Sequence, residues 1–217
     1  VHGPSIHRKG QTELGFKDAD VIVEGHYTTQ VQTHSALETH GVVADWKPDM
    51  LTVWASTQGT ASVREELAGF FKIPLSKVRV ITEYMGGGFG AKFGAGNPGV
   101  VAATLSKKTG APVRLMLDRE EEHLSVGNRP SSDQVLRIGA KKDGTITAIH
   151  LVAYGTAGCG TGAGCSGPAA NLYKSGSLHT EENDVFINAG PASAMRAPGH
   201  PQGAFALEQT MDELAVK

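Results

Sequence analysis

Between positions 85 and 92 the chain reads Met85-Gly86-Gly87-Gly88-Phe89-Gly90-Ala91-Lys92, a stretch whose residue types can do chemistry. Consecutive glycines lack Cβ atoms, so the backbone can take φ > 0 and approach a bound group to hydrogen-bonding distance. Successive N–H groups in such a turn form a concave nest of donors for an oxyanion, a phosphate or an oxo ligand. The strand-like run Val78–Thr82 precedes the stretch, so the loop opens where a strand ends. Open α/β architectures place ligands at that point. A plain turn would need one glycine; three, an aromatic and a fourth glycine argue for a ligand-facing loop.

The residues downstream of the loop exclude two nucleotide-binding motifs. Read from Gly86, the stretch spells G-x-G-x-x-A, and Asp118 ends the next strand-like run, where a ribose-binding acid would sit in an NAD-binding dehydrogenase. In that fold a helix starts within the motif and turns its N-terminus to the pyrophosphate. Here Gly94, Gly96 and Pro98 interrupt any such helix, and the better start is Asn97 as cap with Pro98 in the first turn. A P-loop requires Gly-Lys followed by Ser or Thr, whereas Ala91 precedes Lys92 and Phe93 follows it. Upstream, His34, Glu38 and His40 would share one side of an extended segment, a spacing compatible with metal ligation. Such side chains more simply serve backbone groups of an adjacent loop, and no metal site is assigned to them. Cys159 and Cys165 match no zinc or redox spacing and read as free thiols.

These loops need elements to hold them. The 217 residues carry a net charge of −2 and a pI near 6.5, which leaves no electrostatic footprint for nucleic acid or an anionic membrane. No run is apolar and long enough to span a bilayer. Strands are predicted over 20–28, 51–56, 78–82 and 112–117, and a hairpin over 134–154 turns at Asp143-Gly144. A helix is predicted over 60–71, with Ser62 and Glu65 at capping-box spacing, and a second over 97–109 ended by Gly110. Glu120–Glu122 read as a solvated face or a helix start. The segment 155–168 is a second glycine-rich loop, and a last helix carries Ala204, Leu207, Met211 and Leu214 as its apolar stripe. The fold class is therefore α+β, a mixed β-sheet with two to three helices and glycine-rich cofactor loops. Residues 1–19 read as a linker or arm, and 20–217 as a partial domain cut in mid-element at its C-terminus.

Five segments, in this order and spacing, resemble one family: Leu-Glu-Thr-His (37–40), Ser-Thr-Gln-Gly (56–59), the loop 85–92, Leu-Asp-Arg-Glu-Glu (117–121) and Met-Arg-Ala-Pro-Gly-His-Pro-Gln-Gly (195–203). Together they resemble the molybdenum-cofactor subunit of the xanthine dehydrogenase / aldehyde oxidase family, over its first molybdopterin-binding part. The resemblance implies that Gln58 donates from its amide to the apical oxo group on molybdenum. It implies that Gly87, Gly88, Phe89 and Gly90 approach the cofactor, with Phe89 at the substrate entrance, and that Arg196 belongs to the second cofactor loop. It further implies iron–sulfur clusters and FAD on other domains or subunits, a small-molecule substrate, and a glutamate base beyond Lys217. The alternatives are a non-catalytic module that packs against partner subunits and, against the interruptions after the loop, an NAD-binding dehydrogenase domain.

The chain departs from the family pattern in one informative way. The purine-oxidising branch has a glutamate directly after the loop lysine and an arginine before the second cofactor loop. Here Phe93 follows Lys92, and no arginine lies between Arg137 and Arg196. Phe89 and Phe93 would offer an aromatic wall instead, which predicts an aldehyde or an aromatic N-heterocycle as substrate.

Overall fold

The computed structural model describes all residues from Val1 to Lys217. The chain folds into two compact units, each with its own sheet and core. The first comprises residues 1–32, 128–192 and 197–217; the second comprises 33–127 and 193–196.

The first unit contains β1 (His2–Lys9), α1 (Thr12–Asp18), β2 (Val21–Thr29), β7 (Ser131–Ala140), β8 (Ile146–Thr156), α5 (Gly167–Asn171), β9 (Ser177–Asp184) and α6 (His200–Val216). The second contains β3 (Gly41–Lys47), β4 (Met50–Ala55), α2 (Thr60–Phe71), β5 (Val78–Ile81), α3 (Gly96–Thr109), β6 (Val113–Met116) and α4 (Arg119–Ser125).

In the first unit the strand order is β1-β9-β8-β7-β2. Every neighbouring pair is antiparallel except β8 with β9, which run parallel. Strict alternation decides the faces, because successive strand side chains point to opposite sides. Leu136 and Ile138 of β7 and Ile149, Leu151 and Ala153 of β8 form the core with Ala206 and Leu207 of α6. Helix α1 packs against β8, and Gly15 permits this approach because a Cβ there would overlap Thr147 O and Ala148 Cβ. In the second unit the order is β5-β4-β3-β6, with β4 and β5 parallel. Val42, Ala44, Leu51 and Val53 pack against Val63 and Leu67 of α2 and Ala102 and Ala103 of α3. Strand β5 of that sheet and helix α3 flank the glycine loop.

The α+β class with mixed strand pairing holds, and the strands are divided between two sheets. Three helices are long: α2, α3 and α6, with 12, 14 and 17 residues. Residues 1–19 correct the linker reading. They form β1, hydrogen-bonded to β9, and α1. Every residue of β1 is exposed, so the strand carries no alternating apolar signal, and its order comes from backbone pairing at a sheet edge. Ser62 and Glu65 do not cap α2, whose N-cap is Gly59 with no side-chain bond. The capping box lies on α4: Asp118 Oδ1 accepts from Glu121 N at 2.8 Å, and Glu121 Oε2 accepts from Asp118 N at 2.9 Å. Gly110 ends α3 at φ 67°, as expected.

Candidate functional site

Gln58 sits in the short link between β4 and α2, and the glycine loop runs between β5 and α3. Hydrogen bonds join the two tightly. Gln58 N donates to Lys92 O at 2.7 Å, and Thr57 Oγ1 donates to the same carbonyl at 2.8 Å. The Gln58 side chain then turns onto the loop. Its Oε1 accepts from Gly90 N at 2.8 Å and from Lys92 N at 3.3 Å. Two backbone donors on one side-chain atom identify that atom as the carbonyl oxygen, so the amide NH2 is the free end. Nε2 makes no hydrogen bond within the chain, and the residue is exposed.

The loop's conformation requires its glycines. Gly87 has φ 97° and Gly90 φ 113°, and a Cβ on Gly90 would overlap the carbonyl of Ala194. A Cβ on Gly88 would overlap the Gln58 carboxamide. Phe89 is itself left-handed at φ 52°, a conformation unusual for a bulky residue. In this conformation the N–H groups of Gly87, Gly88 and Phe89 have no acceptor in the chain. Three consecutive amides and the Gln58 NH2 thus remain as unengaged donors. Arg196 N donates to Phe89 O at 2.7 Å, which ties the second expected loop to the first. The structure therefore brings Gln58, Gly87, Gly88, Phe89, Gly90 and the Arg196 backbone together. Phe93 lies three residues beyond Gly90 and is half-exposed like Phe89, but no ring contact joins the two phenyl groups.

Several residues that position this loop carry no such signal in the sequence. Lys92 is only 1% exposed. Its Nζ donates to Glu38 O at 2.7 Å and Ser56 Oγ at 2.8 Å, with the Glu38 carboxylate 3.9 Å away. Burial pushes the Lys92 ammonium below the ordinary lysine value, against the opposing charges of Glu38 and Glu122. Glu38 also closes the near end of the loop, accepting from Gly86 N at 2.6 Å. His40 Nδ1 faces the buried Glu122 carboxylate at 2.9 Å and its Nε2 faces Ala91 O at 3.1 Å. His34 Nε2 lies 2.6 Å from Ala194 O. His34, Glu38 and His40 thus serve three different loop contacts. The solvated reading of the acidic run fails at Glu122, which is 1% exposed; only its place one turn into a capped helix hints at that. Behind Ala91, His40, Asn97, Pro98, Leu115 and Leu117 line a cavity of about 490 Å³. Cys159 and Cys165 are both free, and burial, with Glu182, pushes the Cys165 thiol up to about 12.

Residues 2–217 match the family model described as a molybdopterin cofactor-binding domain, and the chain belongs to that family. It is 37% identical over 209 residues to the aldehyde oxidoreductase molybdenum-binding subunit PaoC of Escherichia coli (strain K12), covering 96% of this chain and 29% of PaoC. It is 32% identical over 225 residues to the xanthine dehydrogenase/oxidase of Mus musculus, covering 99% of this chain and 17% of that protein. The fold superposes on quinoline 2-oxidoreductase from Pseudomonas putida 86 with a TM-score of 0.87 at 25% identity, over all of this chain and 29% of that one. This chain therefore spans less than a third of the length of each.

Proposed function

We propose that this chain supplies the first two cofactor-facing loops of a molybdenum hydroxylase. The enzyme oxidises an aldehyde or an aromatic N-heterocycle and takes the added oxygen from water. The observation that carries this reading is the cluster of unengaged donors: Gln58 Nε2 beside the amides of Gly87, Gly88 and Phe89. Buried or ligand-facing polar groups need partners, and four donors with no acceptor in the chain fit an oxygen- and sulfur-rich anionic group. When bound, the molybdenum–molybdopterin group supplies the two-electron oxidant. The chain's own residues bind and orient. Gln58 donates a neutral hydrogen bond from Nε2, held in direction by the two amides on its Oε1. The three loop amides add fixed donors that need no reorganisation during reaction. Arg196 offers a permanently charged guanidinium, suited to an anionic partner.

The substrate class rests on the two phenylalanines of the loop and on two residue types that the sequence lacks at the corresponding positions. Phe89 and Phe93, each half-exposed, present apolar ring surface, and neither the glutamate nor the arginine of the purine-oxidising pattern is present. A site that lacks groups to pair a purine's polar edge cannot favour it. PaoC is named for aldehyde oxidation and the structural relative for quinoline. The mouse relative, named for xanthine, shows that overall identity does not decide the substrate. The general base belongs to the remainder of the molybdenum subunit, and iron–sulfur clusters and FAD to other domains or subunits. Two cysteines cannot hold a cluster that takes about four ligands. Molybdenum analysis and steady-state kinetics on the full enzyme test the reading. The expected result is bound molybdenum with kcat/KM for benzaldehyde or quinoline above that for xanthine. A xanthine preference overturns the substrate class, and a full enzyme that binds no molybdenum overturns the function.

A further inference from the structure

On the first unit's sheet, two imidazoles and a carboxylate converge. His150 of β8 and His179 of β9 are register partners on adjacent parallel strands, with ring centroids 4.9 Å apart. Glu181 lies two residues further along β9, on the same face. One ligand atom from each of the three lies within 4.8 Å of the others. All three side chains are half-buried rather than extended into solvent.

Their hydrogen bonding is incomplete in a particular way. His150 makes no hydrogen bond at all. His179 Nε2 lies 3.0 Å from Glu181 Oε1 and 3.4 Å from Arg8 Nε. A ring nitrogen cannot donate to a carboxylate and accept from a guanidinium at the same time. One of the two contacts is therefore always unsatisfied by protein atoms alone. A cation bound to both Nε2 and Oε1 would resolve the conflict. It would also give the His150 ring a partner, and the long Arg8 contact is the weakest bond lost. Of the nearby positive charges, Arg137 is already engaged by Glu24 at 3.8 Å and by the Phe16 ring at 4.3 Å.

We propose that His150, His179 and Glu181 form a binding site for a borderline divalent cation of the Zn2+ type, sharing no residue with the molybdenum site. Two neutral imidazoles and one carboxylate are a set of donors that Zn2+ accepts, with water as the fourth ligand. Tetrahedral ligands at bonds of about 2.1 Å sit about 3.4 Å apart, so closure needs side-chain movements on the order of 1 Å. Rotation about the side-chain torsions supplies that without moving β8 or β9. The bound ion clips the parallel β8–β9 pair, the only parallel junction in this sheet.

The test uses the full chain, freed of adventitious metal with a chelator and titrated with Zn2+ and with Co2+ as the spectroscopic probe. The expected result is one equivalent bound, a tetrahedral Co2+ absorption displaced by Zn2+, and a melting temperature raised by Zn2+. His150→Ala and Glu181→Gln should each lose the absorption and the thermal shift. His26→Ala, which removes an exposed histidine outside the cluster, should keep both. Full Co2+ absorption in folded His150→Ala, or no binding by the parent, overturns the proposal. Should either variant fail to fold, imidazole 15N shifts of the parent decide: His150 and His179 signals that do not move on adding Zn2+ overturn it equally.

Discussion

Gln58 has two ends with two tasks. Oε1 holds the loop by accepting from Gly90 and Lys92, and Nε2 is the donor proposed to face the cofactor. Substitution by alanine removes both, and glutamate would turn a negative oxygen towards an anionic group, so Gln58→Ala is read by two separate measurements. A neutral hydrogen bond acting in the transition state is worth about 1–3 kcal/mol, so turnover of the full enzyme per bound molybdenum should fall by about tenfold to a hundredfold. Molybdenum content should fall as well, because the loop loses the acceptor for Gly90 and Lys92. Equal turnover per molybdenum in Gln58→Ala and the parent would remove the residue from the site. The two thiols differ as sharply. Cys165 is 2% exposed, with its pKa raised to about 12 by burial and the nearby Glu182, while Cys159 is exposed. Thiolates, not thiols, are alkylated. Iodoacetamide at about pH 8.5 should therefore label one thiol in the native chain and two after denaturation, which mass spectrometry reads directly; rapid double labelling of the native chain would contradict the burial.

At the scale of elements, the glycine loop is a strained connection between β5 and α3 that depends on its lack of side chains. Gly90→Ala combines φ 113° with overlap of the Ala194 carbonyl, so it should displace the 193–196 segment and lower both melting temperature and molybdenum content. Gly144→Ala separates the two causes. Gly144 also has a positive φ, 87°, but open space around it, so that variant should lose stability alone. Matching metal loss in both would show that the overlap at Gly90 is irrelevant. Helix α4 supports the loop from behind by presenting Glu122 to His40, and its start rests on Asp118. Asp118→Ala removes the capping box at a cost of about 1 kcal/mol, to be measured by denaturant unfolding. These elements are unevenly legible in the sequence. Helix 60–71, the hairpin and the Gly110 stop are readable because periodicity and turn residues act locally. The strand β9 is not, since Ser-Leu-His-Thr-Glu-Glu-Asn-Asp shows an apolar pattern at no position beyond Leu178. Its order comes from pairing between β1 and β8, which no local window contains. In the site, the glycines are legible by type and spacing, whereas Gln58 stands out only through the family resemblance of the Ser-Thr-Gln-Gly segment. The roles of Lys92 and Glu122 are not, because a buried charge looks like a surface charge until its partners, distant in sequence, are known.

For the whole molecule, every residue proposed for the molybdenum site falls in the second unit, since residues 193–196 belong there although the flanking segments belong to the first. The chain returns to that unit for only these four residues, and Arg196 is the last of them. The donors gathered there are a carboxamide and three amides, on two loops joined by hydrogen bonds. A large anionic cofactor is held tightly when it is enclosed and most of its polar atoms are paired, and pockets for such ligands bury roughly 70–90% of the surface. One open row of donors pairs a single side of such a group. This chain spans 29% of the length of PaoC, and under the proposed function the loops that enclose the other sides come from the remainder of the molybdenum subunit. The isolated 217-residue chain should therefore fold, giving cooperative thermal unfolding, yet retain no stoichiometric molybdenum after gel filtration and oxidise neither benzaldehyde nor quinoline. Stoichiometric molybdenum on the isolated, folded chain would show that these few donors suffice and would overturn the enclosure argument.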